Sequence, residues 1–189
     1  RKRFVPEIVI SKMAKDFADN EVRPQAASND KNERYPVELV NKMIELGFMG
    51  VAVPEKFGGS GMDILAYVLA MEEISKACAS TAVIMSVQNS LVCDPLLTFG
   101  TEEQKQKYLV PAAKGQKLGC FALTEPQAGS DAANQKTVAI PEGNYYLLNG
   151  SKNFITNSPQ SDFAIVFAMT DKTKGVKGIT AFIVDTKTA

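Results

Sequence analysis

Apolar residues recur at helical spacing through the first two-thirds of the chain. Val5, Ile8, Val9, Met13 and Phe17 follow this pattern and predict a helix that Arg23-Pro24 ends. A second helix is predicted from Pro36, with Val37, Val40, Met43 and Ile44 turned inward and Gly47 stopping it. Pro54 to Gly61 reads as a loop, and Ile64 to Ala77 resumes the helical period through Leu65, Val68, Met71 and Ile74. Thr81 to Val92 is apolar on nearly every side, through Ala82, Val83, Ile84, Met85, Val87 and Leu91; a helix without a polar face is normally enclosed by others. Thr101-Glu102-Glu103-Gln104 has the form of a capping box and opens a helix running up to Pro111.

After Gly115 the period shortens. Leu118–Leu123, Lys136–Ile140, Tyr145–Leu148, Phe163–Met169 and Ile179–Val184 are short runs rich in branched and aromatic residues, separated by turn clusters such as Pro141-Glu142-Gly143-Asn144 and Lys174-Gly175. The expected fold is therefore α+β: an N-terminal all-α helical domain over residues 1–115, then an antiparallel β-barrel or sheet domain over residues 116–189.

Composition narrows the chemistry. The 189 residues are 45% hydrophobic and 22% charged, with 21 basic and 21 acidic residues, as in an ordinary globular protein. Basic residues are scattered, so neither nucleic acid nor an anionic membrane is indicated as a partner. Histidine is absent, which excludes Ser-His and Cys-His hydrolase arrangements. Cys78, Cys93 and Cys120 lack metal-ligand spacing and read as free thiols of a reducing compartment, with no metal expected. No signal peptide or membrane-spanning run is evident, so membrane insertion is not expected. Gly58-Gly59-Ser60-Gly61 looks like a phosphate loop, but no strand precedes it and no Gly-Lys-Ser/Thr follows, so it reads as a connection between helices.

The most informative stretch is Cys120-Phe121-Ala122-Leu123-Thr124-Glu125-Pro126-Gln127-Ala128-Gly129-Ser130-Asp131. Gly129 can take a positive φ, which would let the amides around Ser130 and Asp131 converge as an anion-binding nest. Phe121 to Thr124 could offer alternating backbone donors and acceptors to a flat heterocycle. Taken alone, the stretch is a strand running into a turn.

As a whole it resembles the flavin-binding signature of the acyl-CoA dehydrogenase family. Three further segments carry the same resemblance: Val53-Pro54-Glu55 into Gly58-Gly59-Ser60-Gly61-Met62-Asp63, Phe99-Gly100-Thr101-Glu102 through Pro111, and Leu148-Asn149-Gly150-Ser151-Lys152-Asn153-Phe154-Ile155-Thr156-Asn157. The last looks like the family's second flavin-contacting strand. Both flavin signatures fall on predicted strands, and the whole is most similar to the short-chain, butyryl-CoA-type branch.

The resemblance implies α,β-desaturation of short-chain acyl-CoA thioesters, with hydride passing to N5 of FAD. It places Phe121, Ala122, Leu123, Thr124, Gly129, Ser130, Phe154, Ile155 and Thr156 at the cofactor. Thr124 and Thr156 would bring hydroxyls near O4 and N5, and Phe154 would cover one face of the ring where many relatives carry tryptophan. Ser130 would also meet the acyl-CoA, and Val83, Ile84, Val87 and Leu91 would line the acyl cavity; judged alone, these four are core residues. The family's catalytic base is a carboxylate of a C-terminal helical domain, and the chain stops at Ala189, inside the sheet domain. No catalytic residue is therefore expected here, Glu125 is expected to fix a loop, and residues 1–189 alone are expected to be inactive. Electron-transferring flavoprotein as acceptor, a homotetramer, and a bacterial cytoplasmic or mitochondrial matrix location complete what the resemblance implies. An acyl-CoA oxidase or flavin monooxygenase of the same fold would differ in rapid reoxidation of its flavin by air. A non-catalytic binding or scaffold piece is the reading from another class.

Overall fold

The structure, a computed structural model, describes residues 5–187. Arg1 and Ala189, on which the expectations about the chain's ends rest, lie outside the described residues, as does the side chain of Val5. The chain divides into two compact units after Lys117, two residues beyond Gln116's neighbour Gly115, where the sequence pattern changes.

The first unit is helical. Its segments are α1 (Val5–Phe17), α2 (Arg23–Lys31), α3 (Val37–Glu45), α4 (Ile64–Ala77), α5 (Ala79–Ser86), α6 (Asp94–Phe99), α7 (Glu102–Gln104) and α8 (Val110–Ala113). Pro24 and Pro111, predicted to end helices, do not do so, and neither does Pro95. A proline inside an α-helix lacks the N–H and drives its ring into the carbonyl four residues back. Here a π-helical segment stands just before each: Ala18–Val22 before Pro24, Val87–Cys93 before Pro95, and Lys105–Leu109 before Pro111. The residue preceding each proline donates five positions back, Arg23 to Ala18 O, Asp94 to Asn89 O and Val110 to Lys105 O. The widened turn accommodates the ring and the helix continues.

One consequence is a continuous helix from Ala79 to Phe99, 21 residues long and apolar enough by length and composition to cross a membrane. The sequence had shown it as shorter pieces, hence the expectation that no such run exists. Half of its most apolar window is buried within the structure. It also carries the buried polar side chains of Thr81, Gln88 and Asn89. Gln88 Nε2 donates to Ala112 O and Lys117 O, both at 3.0 Å. Asn89 Oδ1 accepts from Val51 N at 2.8 Å, and its Nδ2 donates to Phe48 O at 2.7 Å and Met85 O at 2.9 Å.

The inward faces differ in detail from the predicted ones. On α1 Ile10, Ala14 and Phe17 are buried while Ile8, Val9 and Met13 are exposed. On α3 Leu39, Val40 and Met43 are buried, and Val37 is exposed at the first turn. On α4 the small residues Ala66 and Ala70 join Ile74 inside, leaving Leu65 and Val68 outside. Small side chains permit close helix approach, a signal that apolar periodicity counted by large residues does not show. Gly47 (φ 73°) ends α3 through the left-handed conformation that favours glycine. The Thr101 capping box is complete: Gln104 N donates to Thr101 Oγ1 at 3.2 Å and Thr101 N to Gln104 Oε1 at 2.9 Å.

The second unit holds β1 (Gly119–Ala122), β2 (Val138–Glu142), β3 (Tyr145–Asn149), β4 (Phe163–Met169) and β5 (Ile179–Asp185). The order helical unit, then sheet unit, is as expected, but the sheet is mixed rather than antiparallel. β1 runs parallel to β4 from Gly119↔Phe163 to Ala122↔Val166, and β2 meets β4 in parallel at Val138↔Met169. β2–β3 and β4–β5 are antiparallel. Alternation of apolar residues reports a strand but not the direction of its partner; direction depends on the crossover, which here is the long path from Leu123 to Asp162. Among the described residues no pairing closes a barrel, yet the sheet curls enough to bring Tyr146 of β3 and Phe182 of β5 together, ring centroids 5.2 Å apart.

Asn89→Leu keeps the branching and heavy-atom count of the side chain but removes its bonds to Val51 N, Phe48 O and Met85 O. At about 1–3 kcal/mol for each buried unsatisfied group, it is expected to destabilise the protein by about 3 kcal/mol or more in urea unfolding. Ser90→Ala, which removes one bond to Ser86 O on its own helix, should stay within about 0.5 kcal/mol of wild type. Equal midpoints for the two variants would contradict this account of the helix.

Candidate functional site

Two loops of the sheet unit come together at the end of β1. The first leaves the strand at Leu123 and folds as a tight turn, with Glu125 N donating to Ala128 O at 3.0 Å and Ala128 N returning to Glu125 O at 3.1 Å. Pro126 occupies the position after the first residue, where its fixed φ suits such a turn. The second loop, residues 150–157, follows β3. The family resemblance placed its signature on a strand; the backbone is instead irregular.

What joins the loops is a buried ion pair. Lys152 Nζ lies 2.8 Å from Glu125 Oε1, and the side chains are 11% and 2% exposed. All three ammonium protons are used, because Lys152 Nζ also donates to Leu123 O and to Gln135 Oε1, each at 3.0 Å. Glu125 is equally engaged. Its Oε2 accepts from Lys136 N and Gln127 Nε2, both at 2.6 Å, and its Oε1 accepts from Thr137 N at 2.9 Å as well as from Lys152. Burial alone would push this carboxyl upward; the Lys136 amide, the Lys152 ammonium and the Thr137 amide outweigh it and hold the carboxyl at about 2. A second tie is Asn153 N to Thr124 O at 2.8 Å. Gly150 lets the chain pass close, since a Cβ there would stand 2.2 Å from Thr137 Oγ1.

This scaffold presents an unusual side chain. Phe154 has φ 56°, a left-handed conformation that is a true outlier for a bulky residue, and it is 92% exposed. Neither backbone preference nor burial explains its presence. Asn157, three residues on, is also left-handed (φ 70°) but buried, and Asn tolerates that region.

The remaining predicted residues fall as follows. Phe121 packs on Phe167 with ring centroids 4.9 Å apart, Ala122 is buried, and Leu123, Thr124, Ile155 and Thr156 are half-buried. The carbonyls of Leu123 and Thr124, expected to face a heterocycle, already accept from Lys152 and Asn153. Gly129 does not take the left-handed conformation, so the nest it was expected to build is not formed in that way. Gly129 and Ser130 are exposed, and nothing lies within 4 Å of a Cβ built on Gly129. In the helical unit, Val83 (44%) and Leu91 (38%) are exposed whereas Ile84 and Val87 are buried. These four do not share one face: Val83 and Ile84 already differ within α5, before the π segment that starts at Val87. A pocket of that unit is lined by Tyr67, Asn89, Ser90 and Asp94, with Ile64 and Leu97, and by none of the four.

Gln135 and Thr137 escaped the sequence reading, and Gly150, Lys152 and Asn157, quoted within the second signature, were given no role there. One signal was available: Lys152 is the single charged residue of the second signature, and the first carries two carboxylates, Glu125 and Asp131, that could answer it.

Residues 7–116 match the acyl-CoA dehydrogenase N-terminal domain and residues 120–189 match the acyl-CoA dehydrogenase middle domain. The chain belongs to the acyl-CoA dehydrogenase family. Members of this family are flavoproteins. The chain is 52% identical over 177 residues to the short-chain specific acyl-CoA dehydrogenase of Clostridium acetobutylicum, covering 94% of this chain and 47% of that protein. It is similar in structure to butyryl-CoA dehydrogenase from Megasphaera elsdenii, with a TM-score of 0.92, 46% identity, and coverage of 96% and 49% of the two chains. A chain in a structure of the electron transferring flavoprotein of Acidaminococcus fermentans gives a TM-score of 0.92 at 48% identity, covering 96% and 48%. The chain thus spans about half the length of the relatives it matches. The site suits the family's group in two respects: among the described residues β1 pairs with β4 alone, and the strained Phe154 is fully presented rather than packed.

The Glu125 carboxyl predicts an acid limb to stability. An unfolded chain takes up this proton near 4.5, the folded one only near 2. The cluster's contribution is therefore complete above about pH 4.5 and is lost as pH falls toward 2. Glu125→Gln is expected to flatten the unfolding free energy against pH across that window. An identical slope in wild type and variant would remove Glu125 as its cause.

Proposed function

We propose that this chain forms the flavin-holding part of an acyl-CoA dehydrogenase that desaturates short-chain acyl-CoA thioesters. Phe154 carries the reading: an aromatic held at φ 56° in solvent, on a loop pinned to the end of an edge strand, is arranged for a flat ligand. FAD would supply the hydride acceptor. Phe154 would cover its ring, the backbone from Phe121 to Thr124 would meet its polar edge, and Thr124 and Thr156 would donate hydroxyl hydrogen bonds that favour negative charge there. Gly129 and Ser130, exposed on the first loop, suit the phosphates and the CoA moiety, while Ile155 fixes the loop behind Phe154. Val83 and Leu91 are accessible for an acyl chain; Ile84 and Val87 would support them from the core.

Glu125 has no part in proton abstraction. A general base works best with a pKa near the operating pH, and this carboxylate holds four donors and titrates near 2. By the family resemblance the base would come from residues other than those of this chain, and a homotetramer is the proposed assembly. The electron-transferring flavoprotein is the proposed acceptor, supported by the likeness to a chain of such a structure.

Phe154→Gly separates ligand duty from structural duty. Relief of the left-handed strain, less the added freedom of glycine in the unfolded chain, should raise stability by about 0.5–1 kcal/mol. In the protein expressed from its complete gene, FAD affinity should fall at the same time. A variant that binds FAD like wild type would sink the assignment of Phe154. Thr156→Val should slow reduction of the bound flavin by butyryl-CoA about fivefold, the equivalent of one hydrogen bond of about 1 kcal/mol, with little change in acyl-CoA affinity. Stopped-flow bleaching of the flavin absorbance measures both.

A further inference from the structure

We infer that Lys152 is a positioning residue for the cofactor, which sets the register between the two loops that flank it. The inference rests on the flavin reading above. The three acceptors of Lys152 come from three separate segments: Leu123 at the end of β1, Glu125 in the turn, and Gln135 just before β2. None belongs to the loop that carries Lys152. That loop presents Phe154 two residues later and Thr156 four residues later. Residues 150–156 are tied to the first loop by Lys152 and by the bond from Asn153 N to Thr124 O.

Charge neutralisation is not sufficient to explain this arrangement. Glu125 already accepts from two backbone amides and the Gln127 amide without Lys152. The distinguishing feature of Lys152 is direction: a compact ammonium spreads three donors in three dimensions, whereas the planar guanidinium of arginine cannot. Arginine would keep the charge and lose the geometry. A Glu125→Gln/Lys152→Met pair would keep local neutrality and lose the tether.

The test uses the protein expressed from its complete gene, with Lys152→Met, Lys152→Arg and the Glu125→Gln/Lys152→Met double variant. Amide hydrogen exchange of the apoprotein reads the loop without the cofactor, and titration with FAD reads its consequence. In all three variants amides of residues 153–156 are expected to exchange at least tenfold faster, with β4 and β5 unchanged, and FAD is expected to bind at least tenfold more weakly. The visible spectrum of residual bound flavin should shift as its surroundings change. If Lys152→Met does not fold, the neutral double variant decides. A double variant or Lys152→Arg that matches wild type within twofold in both exchange and FAD affinity overturns the positioning role, reducing Lys152 to a counter-ion. Faster exchange with unaltered FAD binding overturns it too. Wild-type protein that binds no FAD overturns the flavin reading instead, and the exchange data alone then show whether Lys152 sets the loop.

Discussion

Removing a carboxylate and an ammonium from water costs several kcal/mol per ion, and their mutual attraction commonly does no more than offset that. Glu125 and Lys152 are nearly enclosed, so their pairing has to be explained by something other than net stability. Their partners supply the explanation. Between them they accept from or donate to the end of β1, the Glu125–Ala128 turn, the segment entering β2 and the loop after β3. An apolar pair of the same volume would fill the space without specifying any of these relations. The ion pair makes one arrangement of four segments much better than its neighbours, because every alternative leaves a buried charge short of partners. The display of Phe154 depends on it.

The helical unit solves a different constraint by a similar device. Its long helices contain proline, and each survives because the turn before it is widened. Widening costs regular hydrogen bonds and leaves polar groups to be satisfied, and Asn89 answers that need by donating to Met85 O while holding Val51 and Phe48. The same widening slows the rotation per residue, and Leu91 at 38% is exposed while Val87 one turn before it is buried. Proline, π turn and buried amide form one unit of local structure.

Much of the fold was legible in the sequence because it depends on short-range signals. All five strands lie within two or three residues of their predicted bounds, the capping box has both its bonds, and Gly47 stops α3. What was illegible depends on partners remote in sequence. Nothing in Gly119–Ala122 states that it runs parallel to Phe163–Val166. Nothing in the strand-like composition of Phe154-Ile155-Thr156 shows that the backbone there is irregular, because that is imposed by Lys152 reaching back to Leu123 and Glu125. At the candidate site, family resemblance named the residues to look at, while the contacts that hold their loops became visible only with the geometry.

Those two kinds of information bear on each other at Phe154. Local preference favours no bulky residue at φ 56°, and exposure removes any packing gain, so on folding grounds alone the position should be glycine, asparagine or a small polar residue. Natural sequences are locally consistent with their folds except where another requirement intervenes. The departure here is confined to one residue and is buttressed on its N-terminal side by the tether of Lys152 and the Asn153 bond, and on its C-terminal side by the buried, left-handed Asn157. A loop merely tolerating strain has no use for such support on both sides. Strain that is isolated, exposed and braced is what a preformed ligand contact requires, since a ring held in its bound position loses little further freedom when the ligand arrives.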